Sequence, residues 1–344
     1  MNDRVLGWDI GGAHLKLAVV EAGSVVAALQ VPCALWQGLH MLRQAMTSAL
    51  ADLPATGRHA VTMTGELADL FPDRALGVAA ILDVLAEFLP AERLAIYTTA
   101  GEFIGVNQAR AETGAVASAN WHATARHLAR TLSDGLLLDI GSTTTDIVPV
   151  IAGGIAARGL TDGERLATGE LLYSGIVRTP LAAMARFAPF GGRSTGVMAE
   201  FFATAADAHR LAGTLPEGAD LHPAADGRGK TPAESRARLA RMIGRDAGDA
   251  AEQAWRRLAA FFVRQQIRQI EEAVELVLSG VELPAEAPVI GAGTGRFLAA
   301  EAARRLARRY LAFDETVRSA GAPLAAAPAD LAPAVSVALL LQGS

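Results

Sequence analysis

The sequence predicts a two-lobed α/β protein organised around a duplicated, glycine-turned hairpin. Strand-like apolar runs alternate with segments of helical spacing along most of the chain. An Asp-Ile-Gly turn flanked by strands occurs twice, as Asp9-Ile10-Gly11-Gly12 and, 130 residues later, as Asp139-Ile140-Gly141-Ser142. At 344 residues the chain is longer than one ordinary core, so two lobes are expected.

The elements follow in order. Residues 5–9 read as a strand, residues 15–20 as its return and residues 25–31 as a third strand, a meander turned at Asp9 to His14 and again at Glu21-Ala22-Gly23. Residues 136–149 repeat the plan, with a third strand at 155–157 after Gly153-Gly154. Seven residues after each turn aspartate a charged residue opens the returning strand, Lys16 in one copy and Asp146 in the other. The repeat predicts homologous lobes facing each other across a cleft. Between the copies, helices are expected over 37–50, 74–89 and 120–132, and strands over 60–64 and 94–98. After the second copy the spacing predicts helices over 163–177 and 196–212, a Gly/Pro loop over 187–195 and a mobile polar loop over 216–230. Thr231, Pro232 and Glu234 form an N-terminal capping signature for a helix to 243. A long helix over 246–278, broken near Arg256, a strand over 288–291, a helix over 296–310 and an apolar closing helix over 331–341 complete the reading.

Composition narrows the function classes. Hydrophobic residues make up 51% and charged residues 19%, as in a well-buried globular protein. A net charge of −5 argues against nucleic-acid binding, which needs a basic face. No apolar run is long enough to span a bilayer and no leader precedes the first strand, so a soluble, cytoplasmic protein is expected. The single cysteine, Cys33, forms no intrachain disulfide and reads as a small buried hydrophobe.

The chemistry concentrates in the two turns. Small residues at Gly11, Gly12 and Gly141 let backbone amides approach oxyanions, and Ser142, Thr143 and Thr144 add hydroxyls beside the carboxylates, a set suited to a phosphate chain and its Mg²⁺. A late Gly291-Ala292-Gly293-Thr294-Gly295 turn follows a strand. Its spacing departs from the dinucleotide fingerprint, and about 50 residues remain after it, too few for that fold. Gly229-Lys230-Thr231 imitates the end of a P-loop, but Ala224 stands where the first glycine belongs and no strand precedes it. His122 and His127 are five apart and off a common helical face, so they do not pair on a metal. His14 stands apart because it lies in the first turn. Glu66 follows a strand at the carboxyl edge of the sheet, where ligands bind in such folds, whereas Asp162, Glu164 and Glu170 read first as capping or surface carboxylates. Asp226, Arg228 and Lys230 are candidates for a substrate-closing loop.

Two turns of this kind followed by a glycine turn resemble the superfamily of acetate and sugar kinases, heat-shock ATPases and actin. The resemblance implies a duplicated actin-like, ribonuclease H-like fold, with lobes at 1–133 and 134–344 and a helical insertion at about 160–285. It implies that Lys16 reaches the phosphates, that Asp9 and Asp139 hold Mg²⁺ through water, and that Gly291, Gly293 and Thr294 hold adenosine where a nucleotide binds.

Met63-Thr64-Gly65-Glu66-Leu67-Ala68-Asp69, Gly169-Glu170-Leu171-Leu172-Tyr173-Ser174-Gly175 and Arg178-Thr179-Pro180 are more specific. They resemble the hydantoinase/oxoprolinase branch, and within it the compact synthases of methanofuran biosynthesis, linked to tetrahydromethanopterin-dependent one-carbon metabolism. That resemblance implies a transferase joining an aminomethyl-furanmethyl diphosphate to the phenol of (glutamyl)tyramine with release of pyrophosphate, here for methylofuran synthesis in a methylotroph. Asp9, Lys16, Asp139, Asp146 and Glu66 are then the catalytic set, Mg²⁺ is required and ATP is not, and Asp146, Glu66 or Glu170 takes the phenolic proton. His14, Glu170, Arg178, Asp226, Arg228 and Lys230 are its expected substrate contacts. Small-molecule substrates, no nucleic acid, no membrane and compatibility with a homodimer complete the expectation. The alternatives are an ATP-dependent kinase or amidohydrolase on the same fold, and a non-enzymatic actin-like assembly or regulatory protein.

Overall fold

The computed structural model describes residues 4–53, 55–319 and 324–344. The opening meander is β1 (Arg4–Ile10), β2 (His14–Glu21) and β3 (Ser24–Pro32), antiparallel throughout. β4 (Arg58–Met63) and β5 (Leu94–Tyr97) lie parallel to β1 on its other side, and β6 (Phe103–Ile104) closes that edge antiparallel to β5. The second meander is β7 (Gly135–Ile140), β8 (Thr145–Ile151) and β9 (Gly154–Ile155), with β10 (Leu171–Leu172) also on β8. A separate hairpin follows, β11 (Phe187–Phe190) and β12 (Arg193–Gly196). β13 (Val289–Ala292) is parallel to β7, β14 (Tyr310–Ala312) is parallel to β13, and β15 (Arg318–Ser319) returns to the first sheet beside β3. The sheet orders are β15-β3-β2-β1-β4-β5-β6 and β10-β8-β7-β13-β14, so each sheet repeats an antiparallel meander extended by parallel strands.

β1 is buried along nearly its whole length because both its faces are covered. Successive side chains point to opposite faces. Leu6, Trp8 and Ile10 meet the helices Leu39–Asp52 and Arg74–Phe88, while Val5 points to the helices Asn120–Thr131 and Ala332–Gln342. The second sheet alternates likewise. Leu136, Leu138 and Ile140 pack against the helices Glu252–Leu278 and Arg296–Arg305, and Leu137, Val148 and Val150 face the same central pair of helices. The result is five layers, helix–sheet–helix–sheet–helix, whose middle layer is shared. The closing helix packs on the first sheet so closely that a Cβ on Gly7 would lie 1.9 Å from the Ala334 carbonyl oxygen.

Several expectations need correction. The helix expected over 163–177 spans only Asp162–Thr168, opened by a capping box of Thr161 and Glu164 and stopped by Gly169 at φ 78°. Residues beyond it form β10 and then wrap the second turn, with Ile176 N donating to Gly141 O and Arg178 N to Ser142 O. The loop expected over 187–195 is the β11–β12 hairpin, turned on Gly191 and Gly192, both at positive φ. Of the helix expected over 196–212 only Ala205–Ala212 forms. The long helix begins at Glu252, after a short 3₁₀ turn at Ala247–Asp249, and runs unbroken past Arg256. The helix expected over 296–310 ends at Arg305, because Tyr310 starts β14. Residues 216–230 are irregular as expected, but ion pairs anchor them: Asp220 with Arg210 and Lys230, and Asp226 with Arg238. The expected capping box of Thr231 and Glu234 forms, with Pro232 in the first turn of Pro232–Arg241. No helix among the described residues is long and apolar enough to cross a membrane.

Candidate active site

The two hairpin tips open on one cleft of about 740 Å³. Strand register explains the arrangement: Asp9 pairs with Lys16 across β1 and β2, and Asp139 with Asp146 across β7 and β8. Within each tip one amide closes the turn, Gly11 N to His14 O and Gly141 N to Thr144 O, whereas the amides of Gly12, Ser142 and Thr143 donate to no backbone carbonyl among the described residues. A Cβ on Gly12 would meet nothing within 4 Å, and one on Gly141 only the Thr144 carbonyl at 3.6 Å. Those glycines therefore leave cleft volume, not packing space, beside unengaged donors.

The carboxylates are unequally paired. Lys16 Nζ lies 3.5 Å from Asp9 Oδ2, and Asp9 Oδ1 is buried without a partner. Asp139 accepts no hydrogen bond from a described residue, and its burial, offset partly by Lys16 and reinforced by Asp146, Asp9 and Asp330, pushes its acid up to about 7. Burial also raises Asp9, against the pull of Lys16. Burial pulls the Lys16 pKa down, but Asp9, Asp139 and Asp330 more than reverse that and hold the ammonium charged. Among the described residues no group of three or more His, Cys, Asp or Glu side chains is arranged to hold a metal unaided. Two under-compensated carboxylates beside open glycine tips suit Mg²⁺, which keeps several waters and takes one or two carboxylates together with phosphate oxygens.

Asp146 is engaged differently from its expected role as a free base. Arg165 Nη1 donates to it at 2.8 Å, and that guanidinium stacks 4.0 Å from the centre of the Trp121 ring while Nη2 donates to Glu170 O. Glu170 is fully buried and accepts from the amides of Arg158 at 2.6 Å and Gly159 at 2.9 Å. It fixes a turn outside the cleft lining, so its carboxylate is engaged by backbone amides rather than presented to the cleft as its expected roles require. Arg228 and Lys230 also lie outside the cleft lining, and Asp226 is bound by Arg238 Nη1 at 3.0 Å; their loop reaches the cleft through Asp220, His222 and Pro223 instead. Gly291, Gly293 and Thr294 line no part of it. A Cβ on Gly291 would strike the Tyr310 ring, and one on Gly293 would lie 2.2 Å from Ile140 O, so this glycine turn is filled by packing under the second tip. His122 and His127 are buried in the shared core region, and Cys33 is buried as expected.

Three features were not legible beforehand. Arg178, an expected substrate contact, stacks its guanidinium 4.3 Å from the centre of the Trp36 ring, joining the two sides of the cleft. His222 donates to the Ala13 carbonyl at 2.6 Å and lies 5.0 Å, ring to ring, from both His14 and Trp36. Burial, aided by His222, Lys16 and Arg178, lowers His14 to about 3 and keeps it neutral. Asp330, bonded to Arg296, contributes charge at Lys16 from the turn before the closing helix. Gly175, legible beforehand only as part of a motif, presses on the second tip, where a Cβ would lie 2.3 Å from Thr143 N.

A duplicated meander-and-turn architecture with both tips in one cleft defines a protein of the actin-like α/β fold. A chain of acetone carboxylase, solved in a study of ATP-dependent acetone carboxylation and free of nucleotide, shares the fold at a TM-score of 0.54 and 12% identity, over 87% of this chain and 66% of that one. The family model for hydantoinase/oxoprolinase matches residues 58–331, and the chain belongs to that family. A relative from Methanocaldococcus jannaschii, a (4-{4-[2-(γ-L-glutamylamino)ethyl]phenoxymethyl}furan-2-yl)methanamine synthase, is 30% identical over 244 residues, 71% of this chain and 72% of its own. A Methanococcus vannielii protein of the same name is 47% identical over 72 residues, 21% of this chain and 32% of its own. With synthases as its named relatives, the protein is an enzyme.

Proposed function

We propose that the protein is a transferase of methanofuran-type cofactor synthesis, joining an aminomethyl-furanmethyl diphosphate to the phenol of a glutamyltyramine-type acceptor and releasing pyrophosphate. The observation that carries this reading is the pair of tips with open glycines, unengaged amides and under-compensated carboxylates on one cleft. The named product of the Methanocaldococcus jannaschii relative, a phenoxymethyl-furan, is an ether of the kind such a transfer makes.

On this reading Lys16, kept charged by Asp9, Asp139 and Asp330, faces the diphosphate as negative charge builds on the leaving group. The free amides of Gly12, Ser142 and Thr143 bind its oxygens. Asp9 and Asp139 would hold Mg²⁺, which supplies Lewis-acid neutralisation of the departing diphosphate. An unperturbed phenol has a pKa of about 10, so attack at neutral pH benefits from a base. Asp146 is tied to Arg165 and Glu170 to backbone amides, whereas Glu66, with its acid raised to about 7 chiefly by burial, retains an unpaired oxygen.

Thermal stability with Mg²⁺, Mg²⁺-pyrophosphate and Mg²⁺-ATP is the first test. A ligand at 100 times its Kd adds about 2.7 kcal/mol. Stabilisation by pyrophosphate, followed by detection of the aryl ether from the furan diphosphate and tyramine acceptors, is the expected result. Stabilisation by ATP alone, with ADP released beside an acceptor, replaces the transferase by a kinase or amidohydrolase.

A further inference from the structure

We propose that Ser118 relays the acceptor's phenolic proton to Glu66 during ether formation, an inference that rests on the proposed transfer reaction. Ser118 lines the cleft and sits in the turn between the helices Thr113–Val116 and Asn120–Thr131. Its φ is 52°, a left-handed conformation that non-glycine residues rarely adopt. The neighbouring Ala117 bridges to Met63 at the end of β4, which holds the turn against the segment carrying Glu66. In this conformation Ser118 Oγ donates to Glu66 Oε1 at 2.8 Å and lies 3.3 Å from Asp162 Oδ2.

Of these two carboxylates Glu66 is the one able to receive a proton from the cleft. Asp162 Oδ2 already accepts from Arg74 Nη2 at 2.6 Å. Glu66 is only 1% exposed, and its Oε2 is buried with no partner. Burial chiefly raises its acid, to about 7, with Asp162 adding to the rise and Ser118 and Arg74 opposing it; the Tyr173 phenol is a further titratable neighbour. A substrate in the cleft therefore meets the Ser118 hydroxyl, with the glutamate directly behind it.

The transfer balances without an outside reagent. The phenolic O–H proton passes to Ser118 Oγ as the serine's own proton moves to Glu66 Oε1. The phenolic oxygen forms its bond to the furan methylene carbon while that carbon's bond to the diphosphate oxygen breaks, and the electron pair leaves with pyrophosphate. Glu66 later gives the proton to solvent.

The test compares Ser118→Gly, which suits the positive φ and so spares the fold, with Glu66→Gln. Each is assayed with a tyramine-type acceptor and with a ring-fluorinated analogue whose more acidic phenol needs little help. Both variants should lose about 10²–10⁴-fold in kcat with the ordinary phenol, recover most of it with the fluorinated one, and keep KM for the diphosphate ester. The wild-type rise in kcat near pH 7 should vanish in Glu66→Gln. Full activity of Ser118→Gly with the ordinary phenol, or equal losses with both acceptors, overturns the relay while leaving the transfer reaction standing. Failure of the wild-type protein to form ether overturns the reaction and the relay with it.

Discussion

The two hairpins share a backbone plan and differ in how charge is balanced. In the first, Lys16 is supplied by the returning strand itself, opposite Asp9. In the second the matching position is Asp146, and its cation, Arg165, comes from the helix Asp162–Thr168 and is steadied by Trp121. The first tip carries its own cation, which meets only one Asp9 oxygen, while Asp139 at the other accepts from nothing described and depends on Lys16 across the cleft. The strands behind the tips differ as well. Gly7 of β1 presses on the closing helix, and its counterpart 130 residues on, Leu137, fills the shared core with a side chain. Duplication preserves the turn, and divergence seven residues later leaves the cleft with a charge deficit that a cation and a phosphate chain can share.

The largest effects should come from removing that asymmetry. If the proposed transfer holds, Lys16→Ala and Asp139→Asn should each lower ether formation by at least about 100-fold, read as kcat, because Lys16 would face the leaving group directly and Asp139 would act through the Mg²⁺ it helps to hold. If both keep full activity, the hairpins are scaffold. Arg165→Met should leave Asp146 buried and unpaired at a cost of about 3–5 kcal/mol, read as a fall in Tm, and Asp146→Asn in the same chain should restore much of it. Leu137→Ala should cost about 2–5 kcal/mol through a cavity. Gly7→Ala should cost about 1–3 kcal/mol by overpacking, which makes the two matched strand positions sensitive to opposite changes of volume.

The smallest effect lies outside both hairpins and serves as their control. Glu66 has an acid raised from 4.5 to about 7, so between those values the folded state binds more protons than the unfolded one. Its contribution to stability is full below about 4.5 and is lost as pH rises through about 7. Glu66→Gln should flatten that part of the Tm–pH curve in metal-free protein.

Much of this was readable in advance, and the reason is local. The turns, the capping box at Thr231 and the alternation of β1 depend on neighbours within a few residues. The segment after Gly169 was misread because Leu171, Leu172, Ile176 and Val177 keep helical spacing, while their actual partners are β8 and the second tip. Arg178 on Trp36, Asp330 beside Lys16 and Ser118 on Glu66 join residues far apart in the chain, and no periodicity encodes them. Glu170 shows the converse: a motif residue at a strand edge that turned inward to hold two amides.

The shared middle layer also bears on synthesis. The helix Ala332–Gln342 covers the inner face of β1, β2 and β4, whereas the helix Asn120–Thr131 lies against β8 and β9 of the second sheet. The first sheet therefore cannot acquire this part of its inner cover until residues 332–342 have left the ribosome. Its strands must wait, half-clothed, until that helix is translated. A nascent chain stalled before residue 332 should remain open to protease in the first sheet, and release of the helix Ala332–Gln342 should close it.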